Sequence, residues 1–269
     1  MSSPERPTLL TFAEQDKSPL SIRAKALVFV DPRSRALEAR AETLAVAPLP
    51  VLIVGQTGTG KELLARHVHR ESGRSGLFVA ASCAALSPRW GEAELFGQAR
   101  GAGSASRAGW FGSAHGGTLY LDEIADLPLP LQKKLLQCLQ RGEVQRVGGA
   151  AQPADVRLIA ASSVDLAQAV RAGRFDAQLH DYLRDGELPI PPLRERRGDI
   201  LPMAEYFLGV YAQRLGAPVR GFSDQAQRAL EAYGWPGNTR ELENVVHFAL
   251  LVAGGEQIER SDLSIVDGA

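Results

Sequence analysis

Four short apolar runs are separated by segments in which apolar residues recur with a helical period. The runs cover residues 51–54, 77–80, 118–121 and 156–160. The first and third are almost continuously apolar, which is typical of strands that are covered on both faces. Helical patterns between the runs cover residues 62–71 and 131–139. Strands that alternate with helices predict an α/β domain of three layers with a mainly parallel sheet.

The strand pattern stops near residue 197, and helical patterns replace it. Asp199 and Ser223 each precede a segment with helical apolar spacing. Asn238 is predicted to be a helix N-cap, because Glu241 follows at the capping-box spacing. The sequence therefore predicts a small all-helical domain after the α/β domain. Trp110 and Trp235 are predicted to be core residues.

These patterns divide the chain into three parts. Residues 1–22 carry Ser, Pro and mixed charge without periodicity and are interpreted as an N-terminal arm or linker. Residues 23–197 form the predicted α/β domain, and residues 198–269 the helical domain. The segment 189–197 is rich in Pro and Arg and is interpreted as a hinge. A solvated loop is the alternative for that segment.

Composition excludes several classes of protein. The chain has 269 residues, of which 45% are hydrophobic and 23% charged, so it is neither disordered nor fibrous. Its net charge of -1 argues against binding of nucleic acid through overall charge. Cys83 and Cys138, the only cysteines, have no metal-ligand spacing. The N-terminus lacks the apolar region of a signal peptide, and no apolar run has membrane-spanning length, so we expect a cytoplasmic protein without a membrane partner.

A glycine-rich segment follows the first predicted strand and opens a helix. This context is required for a P-loop, in which backbone N–H groups and the helix N-terminus surround phosphate oxygens. Lys61 is then placed to reach the outer phosphates. Glu62 stands where Ser or Thr usually binds magnesium, and an ordinary glycine-rich turn is the alternative. The predicted phosphate-binding residues are Gly55, Gln56, Thr57, Gly58, Thr59, Gly60, Lys61 and Glu62.

Two carboxylates end the third apolar run. Asp122 is predicted to hold Mg²⁺, directly or through water, and Glu123 to orient and deprotonate the attacking water. A solvated acidic turn is the alternative, which the P-loop upstream disfavours. His67 and His69 are interpreted as surface or packing residues and not as a metal pair, because positions i and i+2 of a helix do not share a face.

Taken together, these residues resemble the central AAA+ domain of sigma-54-dependent transcriptional activators, the bacterial enhancer-binding proteins. The resemblance covers nearly everything from about residue 24 to residue 267. Glu62 supports it, because Glu after the P-loop lysine is usual in that family. The matching segments, which run in family order, are residues 55–62, 94–97, 114–124, 191–196 and 235–244.

The resemblance implies an ATP-driven ring, usually a hexamer of identical or related AAA+ subunits. It further implies ATP and Mg²⁺ as cofactors, and RNA polymerase carrying sigma-54 as the partner that is remodelled. Arg240 is implied to be the second sensor arginine, which touches nucleotide phosphate. A guanidinium at a helix first turn suits that role, because its geometry matches phosphate.

Four features depart from the family pattern. The family loop Gly-Ala-Phe-Thr-Gly-Ala, which touches sigma-54, corresponds here to residues 101–106 and lacks Phe and Thr. The two arginine fingers that reach a neighbouring subunit correspond to Asp176 and Tyr182, although Arg174 and Arg184 lie nearby and could substitute. The first sensor, usually Asn, is Ser163. The Asn that restrains the catalytic glutamate is Ser82.

Two functions are compatible with this pattern. The first is an AAA+ ATPase that regulates transcription, supported by the P-loop, Asp122, Glu123 and Arg240. The alternative is an ATP-binding subunit that does not hydrolyse ATP and that joins or inhibits the rings of an intact activator. The changed loop and the missing fingers favour the alternative. No sensory domain is recognised before residue 24 and no helix-turn-helix after residue 267, so we expect no DNA-binding domain in this chain.

Overall fold

A five-stranded parallel sheet organises the α/β part of the chain, in a computed structural model that describes residues 8–11, 26–101, 106–216 and 221–265. The strands are β1 Thr8–Thr11, β2 Ala26–Phe29, β3 Val51–Val54, β4 Phe78–Ser82, β5 Thr118–Asp122, β6 Glu143–Gln145, β7 Ala151–Pro153, β8 Arg157–Ser162, β9 Glu187–Pro189, β10 Gly221–Phe222 and β11 Gln257–Ile258. The helices are α1 Pro32–Val46, α2 Lys61–Glu71, α3 Gly91–Phe96, α4 Gly109–Ser113, α5 Leu129–Arg141, α6 Leu166–Arg171, α7 Ala177–Arg184, α8 Ile200–Leu215, α9 Asp224–Ala232 and α10 Asn238–Val252.

The order of the strands in this sheet is β4-β5-β8-β3-β9, and all neighbours are parallel. The predicted α/β class with a parallel sheet is thus confirmed. All four predicted runs contain strands, although β4 and β8 begin one residue later than the runs and extend two residues further. Each of these two strands thereby ends on a serine, Ser82 or Ser162. The extension follows from pairing with neighbours, which apolar content alone does not report.

Contacts divide the chain into two compact units. The first contains the described residues of Met1–Ala39, Gln56–Leu63 and Ile190–Ala269, and the second contains Arg40–Gly55 and Leu64–Pro189. Residues 56–63 of the P-loop segment therefore belong by contacts to the same unit as the C-terminal helices.

The first unit is built around its own apolar core. Fully buried residues in this core include Phe207 of α8, Leu242 of α10 and Trp235, which precedes α10. The predicted core position of Trp235 is confirmed, and its indole Nε1 donates to the Leu230 carbonyl at 2.8 Å. A short parallel pair, β10 with β11, accompanies the predicted helices.

The second unit has a separate core beneath the sheet. Leu119 and Leu121 of β5 pack with Phe96 of α3 and Leu135 of α5. Trp110 is partly buried against this core, in agreement with its predicted packing role.

None of the helices in the described ranges combines the length and the apolar character needed to cross a membrane.

Two sequence interpretations need correction. Thr8–Thr11, interpreted as part of an N-terminal arm or linker, forms β1 and pairs antiparallel with β2; residues 1–7 and 12–22 lie outside the described residues. The solvated-loop alternative for residues 189–197 is wrong, because Leu193 is 0% and Arg196 1% exposed. Their burial depends on contacts with segments distant in sequence. The hinge interpretation stays a prediction.

Candidate nucleotide site

The P-loop segment has the backbone shape that its glycines predict. Gly58 and Gly60 both have positive φ angles, 83° and 100°. Thr59 makes two hydrogen bonds within the loop, because its N–H and its Oγ1 donate to the Gln56 carbonyl at 3.3 and 2.8 Å. Lys61 is 7% exposed and is the first residue of α2. The loop therefore leads directly into a helix N-terminus, which favours an anion.

Gly58 touches the start of α10, so the P-loop and the C-terminal helices meet within the first unit. A Cβ built on Gly58 would lie 2.3 Å from the Gly237 carbonyl oxygen, a distance that no side chain tolerates. The N–H of Arg240 donates to the Gly58 carbonyl at 3.3 Å. The structure thus brings Arg240, predicted to be the second sensor, to the P-loop across about 180 residues of sequence.

Asn238 is the residue that the capping-box pattern misassigned. The N-cap of α10 is Gly237, whose N–H donates to Glu241 Oε2 at 2.8 Å, and Asn238 is the first helical residue. The Asn238 amide instead donates to the Thr57 carbonyl at 3.1 Å and accepts from the Leu193 N–H at 2.8 Å. Its φ of 53° lies in the left-handed region, which Asn adopts more readily than most residues.

A buried ion pair lies behind the same loop. Arg196 Nη2 donates to the Thr59 carbonyl at 3.0 Å, and Arg196 Nη1 lies 3.7 Å from Asp199 Oδ2. Oδ1 of Asp199 accepts from the N–H groups of Val30 and Asp31, both at 2.8 Å. Burial raises the pKa of Asp199, while these hydrogen bonds and Arg196 act in the opposite direction. Sequence analysis placed Asp199 only at the start of a helix and gave Arg196 no individual role, because the signal for this pair is long-range.

In the second unit, Asp122 and Glu123 stand at the carboxyl end of β5. Tyr120 Oη donates to Asp122 Oδ1 at 2.9 Å. Glu123 has a φ of 50°, uncommon for a residue other than glycine and a feature that clusters at functional sites. Glu123 Oε2 accepts from the Ser163 N–H at 2.8 Å and from Ser163 Oγ at 2.9 Å. These hydrogen bonds disfavour the alternative of a solvated acidic turn, and the roles of Asp122 and Glu123 with Mg²⁺ and water stay predictions.

Ser82 and Ser163 are the two positions at which the resemblance implies asparagine. Ser82 ends β4 and pairs in register with Asp122. Ser163 follows β8 and holds Glu123 through the two hydrogen bonds above. A restraint on Glu123 is thus present in this chain and comes from the first-sensor position.

The carboxylates at the end of β5 are oxygen donors of the kind that a divalent cation binds. Among the described residues, no group of three or more His, Cys, Asp or Glu side chains could hold a metal by itself. Mg²⁺ needs no such cage, because it is usually bound by one or two carboxylates together with substrate phosphates. Burial raises the pKa of the Cys83 thiol to about 12, and the carboxylates of Asp126, Asp122 and Glu123 add to this shift. The local potential is therefore negative, as a cation requires.

Asp176 and Tyr182, at which the resemblance implies arginine fingers, have structural roles in the second unit. Asp176 is the N-cap of α7, and its Oδ1 accepts from the Leu179 N–H at 2.9 Å. Tyr182 is half-buried against the core, and burial raises its pKa. Arg184 lies 3.8 Å from both Asp181 and Asp185. Neither replaced position offers a cation.

The two helix histidines pack as predicted. His67 Nδ1 lies 3.1 Å from Arg70 Nη2, and His69 Nδ1 is 2.8 Å from Thr118 Oγ1. Their ring nitrogens thus have different partners in the protein.

The loop that corresponds to the sigma-54 contact has a well-defined base. Gln98 and Arg107 exchange two backbone hydrogen bonds of 2.9 Å, and the Val147 N–H donates to the Gly97 carbonyl at 2.9 Å. A Cβ on Gly97 would lie 2.5 Å from the Ala108 carbonyl oxygen. Of the predicted loop, Gly101 and Ser106 belong to the described residues, and residues 102–105 lie outside them.

Comparison with known proteins agrees with this geometry. The family model described as "Sigma-54 interaction domain" matches residues 27–189, and the model described as "AAA+ ATPase lid domain" matches residues 194–265. The chain belongs to the family of sigma-54 interaction domains and carries the AAA+ lid.

Three relatives illustrate the match. The sigma54-dependent transcriptional activator SfnR of Pseudomonas putida is 49% identical over 98% of this chain and 71% of its own length. The transcriptional regulatory protein ZraR of Klebsiella oxytoca is 46% identical over 87% of this chain and 54% of its own length. The structure of NtrX from Brucella abortus in complex with ADP has a TM-score of 0.81 at 33% identity, covering 88% of this chain and 54% of NtrX. The chain thus spans about half the length of the last two.

Proposed function

We propose that this chain is the ATP-binding AAA+ part of a sigma-54-type transcriptional regulator and that it uses ATP with Mg²⁺. The observation that carries the proposal is the contact between the P-loop and the start of α10. Gly58 packs against Gly237, and its carbonyl accepts a hydrogen bond from the Arg240 N–H. The backbone of Arg240 thereby lies next to the loop, which supports a role for its side chain in binding phosphate. NtrX, a structural neighbour, was crystallised with ADP and with ATP.

ATP would be held by this chain's own residues in the first unit. The N–H groups of the P-loop and of the first turn of α2 donate to phosphate oxygens, and Lys61 adds a positive charge. Arg240 supplies a second cation from the start of α10. The buried Arg196 and the Asn238 amide support the loop through the carbonyls of Thr59 and Thr57, and this support fixes its shape before nucleotide arrives.

Hydrolysis would depend on the carboxylates at the end of β5. Mg²⁺, when bound, neutralises charge that develops on the phosphate oxygens. Asp122 is the proposed ligand of Mg²⁺. Glu123 is the proposed general base, which orients a water and accepts its proton. Ser163 holds one oxygen of that base.

We further propose that the chain joins a ring, a hexamer of identical or related subunits, and that the ring acts on RNA polymerase carrying sigma-54. In such a ring the positive charge at the transferred phosphoryl comes from a neighbour. An arginine finger contributes about 10³ to 10⁵ in rate where it has been measured. Asp176 and Tyr182 supply no such charge, so hydrolysis by this chain alone should be slow.

The second candidate is a subunit that binds ATP without hydrolysing it and that joins or inhibits rings of an intact activator. The roles of Asp176 and Tyr182 favour this candidate. One caps α7 and the other packs on the core, so both positions serve the fold of this chain.

Nucleotide-induced stabilisation tests the binding proposal. ATP should raise the melting temperature, because a ligand that binds only the folded state stabilises it. Lys61→Ala should abolish the shift, whereas Lys133→Ala, at an exposed lysine of α5, should retain it. Equal shifts in wild type and Lys61→Ala would refute the site.

Transcription tests the proposed partner. Because the loop at residues 101–106 lacks the Phe and Thr of the family, the chain alone should not open a sigma-54 promoter in vitro. Robust transcription without any other activator would show that this loop still engages sigma-54.

A further inference from the structure

One face of β5 carries the proposed Mg²⁺ ligand and also a residue that contacts α2. Thr118, Tyr120 and Asp122 alternate along the strand and therefore share a face. Tyr120 is 2% exposed, and its Oη donates to Asp122 Oδ1 at 2.9 Å. Among the described residues, Tyr120 is the only side chain that hydrogen-bonds Asp122.

The Tyr120 ring is fixed by neighbours on β4 and α2. It stacks on Phe78, with ring centroids 5.8 Å apart and an interplanar angle of 20°. His69 packs on the same Phe78 ring at 5.5 Å, and the Arg66 guanidinium lies 4.6 Å from its centroid. His69 is itself tied to Thr118. This packing holds the Tyr120 ring in place, so its hydroxyl has little freedom to move away from Asp122.

We infer that Tyr120 is a positioning residue for Asp122 in the binding of Mg²⁺, an inference that rests on the proposed function. The hydroxyl engages Oδ1 and fixes the rotation of the carboxylate, so that Oδ2 is presented to the cation. A carboxylate without this partner samples several orientations and loses part of its metal affinity, because ordering it again costs conformational entropy.

A purely structural role makes a different prediction. A buried tyrosine hydroxyl usually finds a hydrogen-bond partner, and Asp122 could be that partner without any consequence for metal binding. In that case removal of the hydroxyl lowers stability and leaves metal affinity unchanged. The two roles are therefore separated by a metal titration.

Tyr211 provides a matched control. Its Oη donates to Glu243 Oε1 at 2.7 Å, and both residues are buried, in the first unit. Tyr211→Phe and Tyr120→Phe each delete one buried bond from a tyrosine hydroxyl to a carboxylate. Only Tyr120→Phe removes a bond to the proposed metal ligand.

The experiment uses the full chain, saturated with ADP so that no turnover occurs, and titrates Mn²⁺ while free Mn²⁺ is counted by electron paramagnetic resonance. Tyr120→Phe should weaken Mn²⁺ binding about 10- to 100-fold, the scale of losing a side chain that orients a metal ligand. ADP affinity measured without metal should stay within twofold, and Tyr211→Phe should match wild type. Asp122→Asn should weaken Mn²⁺ binding more than Tyr120→Phe does.

Three results would overturn the inference in distinguishable ways. Equal Mn²⁺ affinity in wild type and Tyr120→Phe, with Asp122→Asn impaired, leaves Tyr120 a structural role only. Equal loss in both tyrosine variants assigns the effect to general destabilisation, which the unfolding midpoints would show. Absence of ADP-dependent Mn²⁺ binding in the wild type contradicts the proposed function itself, and the inference falls with it.

Discussion

Ser163 holds a single oxygen of Glu123 twice, through its backbone N–H at 2.8 Å and through its hydroxyl at 2.9 Å. An oxygen that two donors hold must leave at least one of them before it can approach a water. The two bonds therefore oppose the chemistry that Glu123 is proposed to perform. Ser163 acts as a restraint on the base.

Removal of the Ser163 hydroxyl should release that restraint. Ser163→Ala is expected to raise the ATP turnover of concentrated protein about fivefold, the equivalent of one exposed hydrogen bond of about 1 kcal/mol. Ser163→Thr retains the hydroxyl and should turn over like wild type. A lower turnover in Ser163→Ala would mean that the bonds hold Glu123 in its productive position.

The Asn238 amide should matter for nucleotide affinity. Asn238→Gly preserves the left-handed backbone at this position and deletes the bonds to Thr57 and Leu193. We expect ATP to bind about 5- to 10-fold more weakly, because the P-loop loses support worth about 1 kcal/mol. Isothermal titration calorimetry measures the change.

Asn244→Gly is the control for this change. It places a glycine on the exposed side of the same helix, which lowers stability by a similar amount. Its ATP affinity should equal that of wild type. A loss of affinity in Asn244→Gly as large as in Asn238→Gly would assign the effect to helix destabilisation.

His67 should make stability depend on pH. Burial and the nearby Arg70 lower its pKa below the ordinary 6.5 in the folded state. The unfolded chain therefore binds the proton first, and the free energy of unfolding should fall as the pH drops below 6.5, by at most about 1.4 kcal/mol per pH unit. His67→Gln should flatten this decline in urea titrations.

Gln178→Ala serves as the comparison for the pH experiment, because Gln178 is an exposed residue of α7 that does not bind a proton. Its stability should follow the wild-type pH profile. If His67→Gln follows that profile as well, another group controls the acid limb.

Restoring arginine fingers should raise turnover, at a cost to stability that the structure identifies. Asp176→Arg removes the N-cap of α7, which costs about 1 kcal/mol, so its melting temperature must be measured together with its activity. Asp176→Asn keeps a capping side chain and separates loss of negative charge from gain of positive charge. With Tyr182→Arg, the double arginine variant should hydrolyse ATP at least tenfold faster at high protein concentration.

ATP affinity should stay within a few fold in the double arginine variant, because neither position belongs to the P-loop. Flat turnover in a variant that demonstrably assembles would place the block elsewhere. Ser163 and Ser82 would then be examined next.

Local patterns predicted the sheet, the P-loop and the acidic end of β5, because each is encoded in neighbouring residues. Apolar runs and glycine spacing suffice for these elements. Asn238 could not be placed in this way. Its spacing to Glu241 is that of a capping box, and only its contacts with Thr57 and Leu193 show a different role.

The burial of Arg196 could not be predicted from the sequence for a related reason. Its surroundings in sequence are polar and rich in proline, which indicates a loop. Its burial depends on Asp199 and on the Thr59 carbonyl, which is 137 residues away. Tyr120 likewise looked like one more apolar strand residue, until the structure placed its hydroxyl on Asp122.

The central claim is that this chain binds ATP and that the absence of positive charge from a neighbour is the main limit on its hydrolysis. The most direct measurement is steady-state ATP turnover of this chain mixed with an intact activator domain whose own catalytic glutamate has been changed to Gln. All turnover in the mixture then comes from this chain, and Glu123→Gln in this chain provides the blank. The account predicts little turnover by either protein alone and clear turnover on mixing that Glu123→Gln abolishes. A mixture that assembles and stays inactive, or full turnover by this chain alone at every concentration, would contradict it.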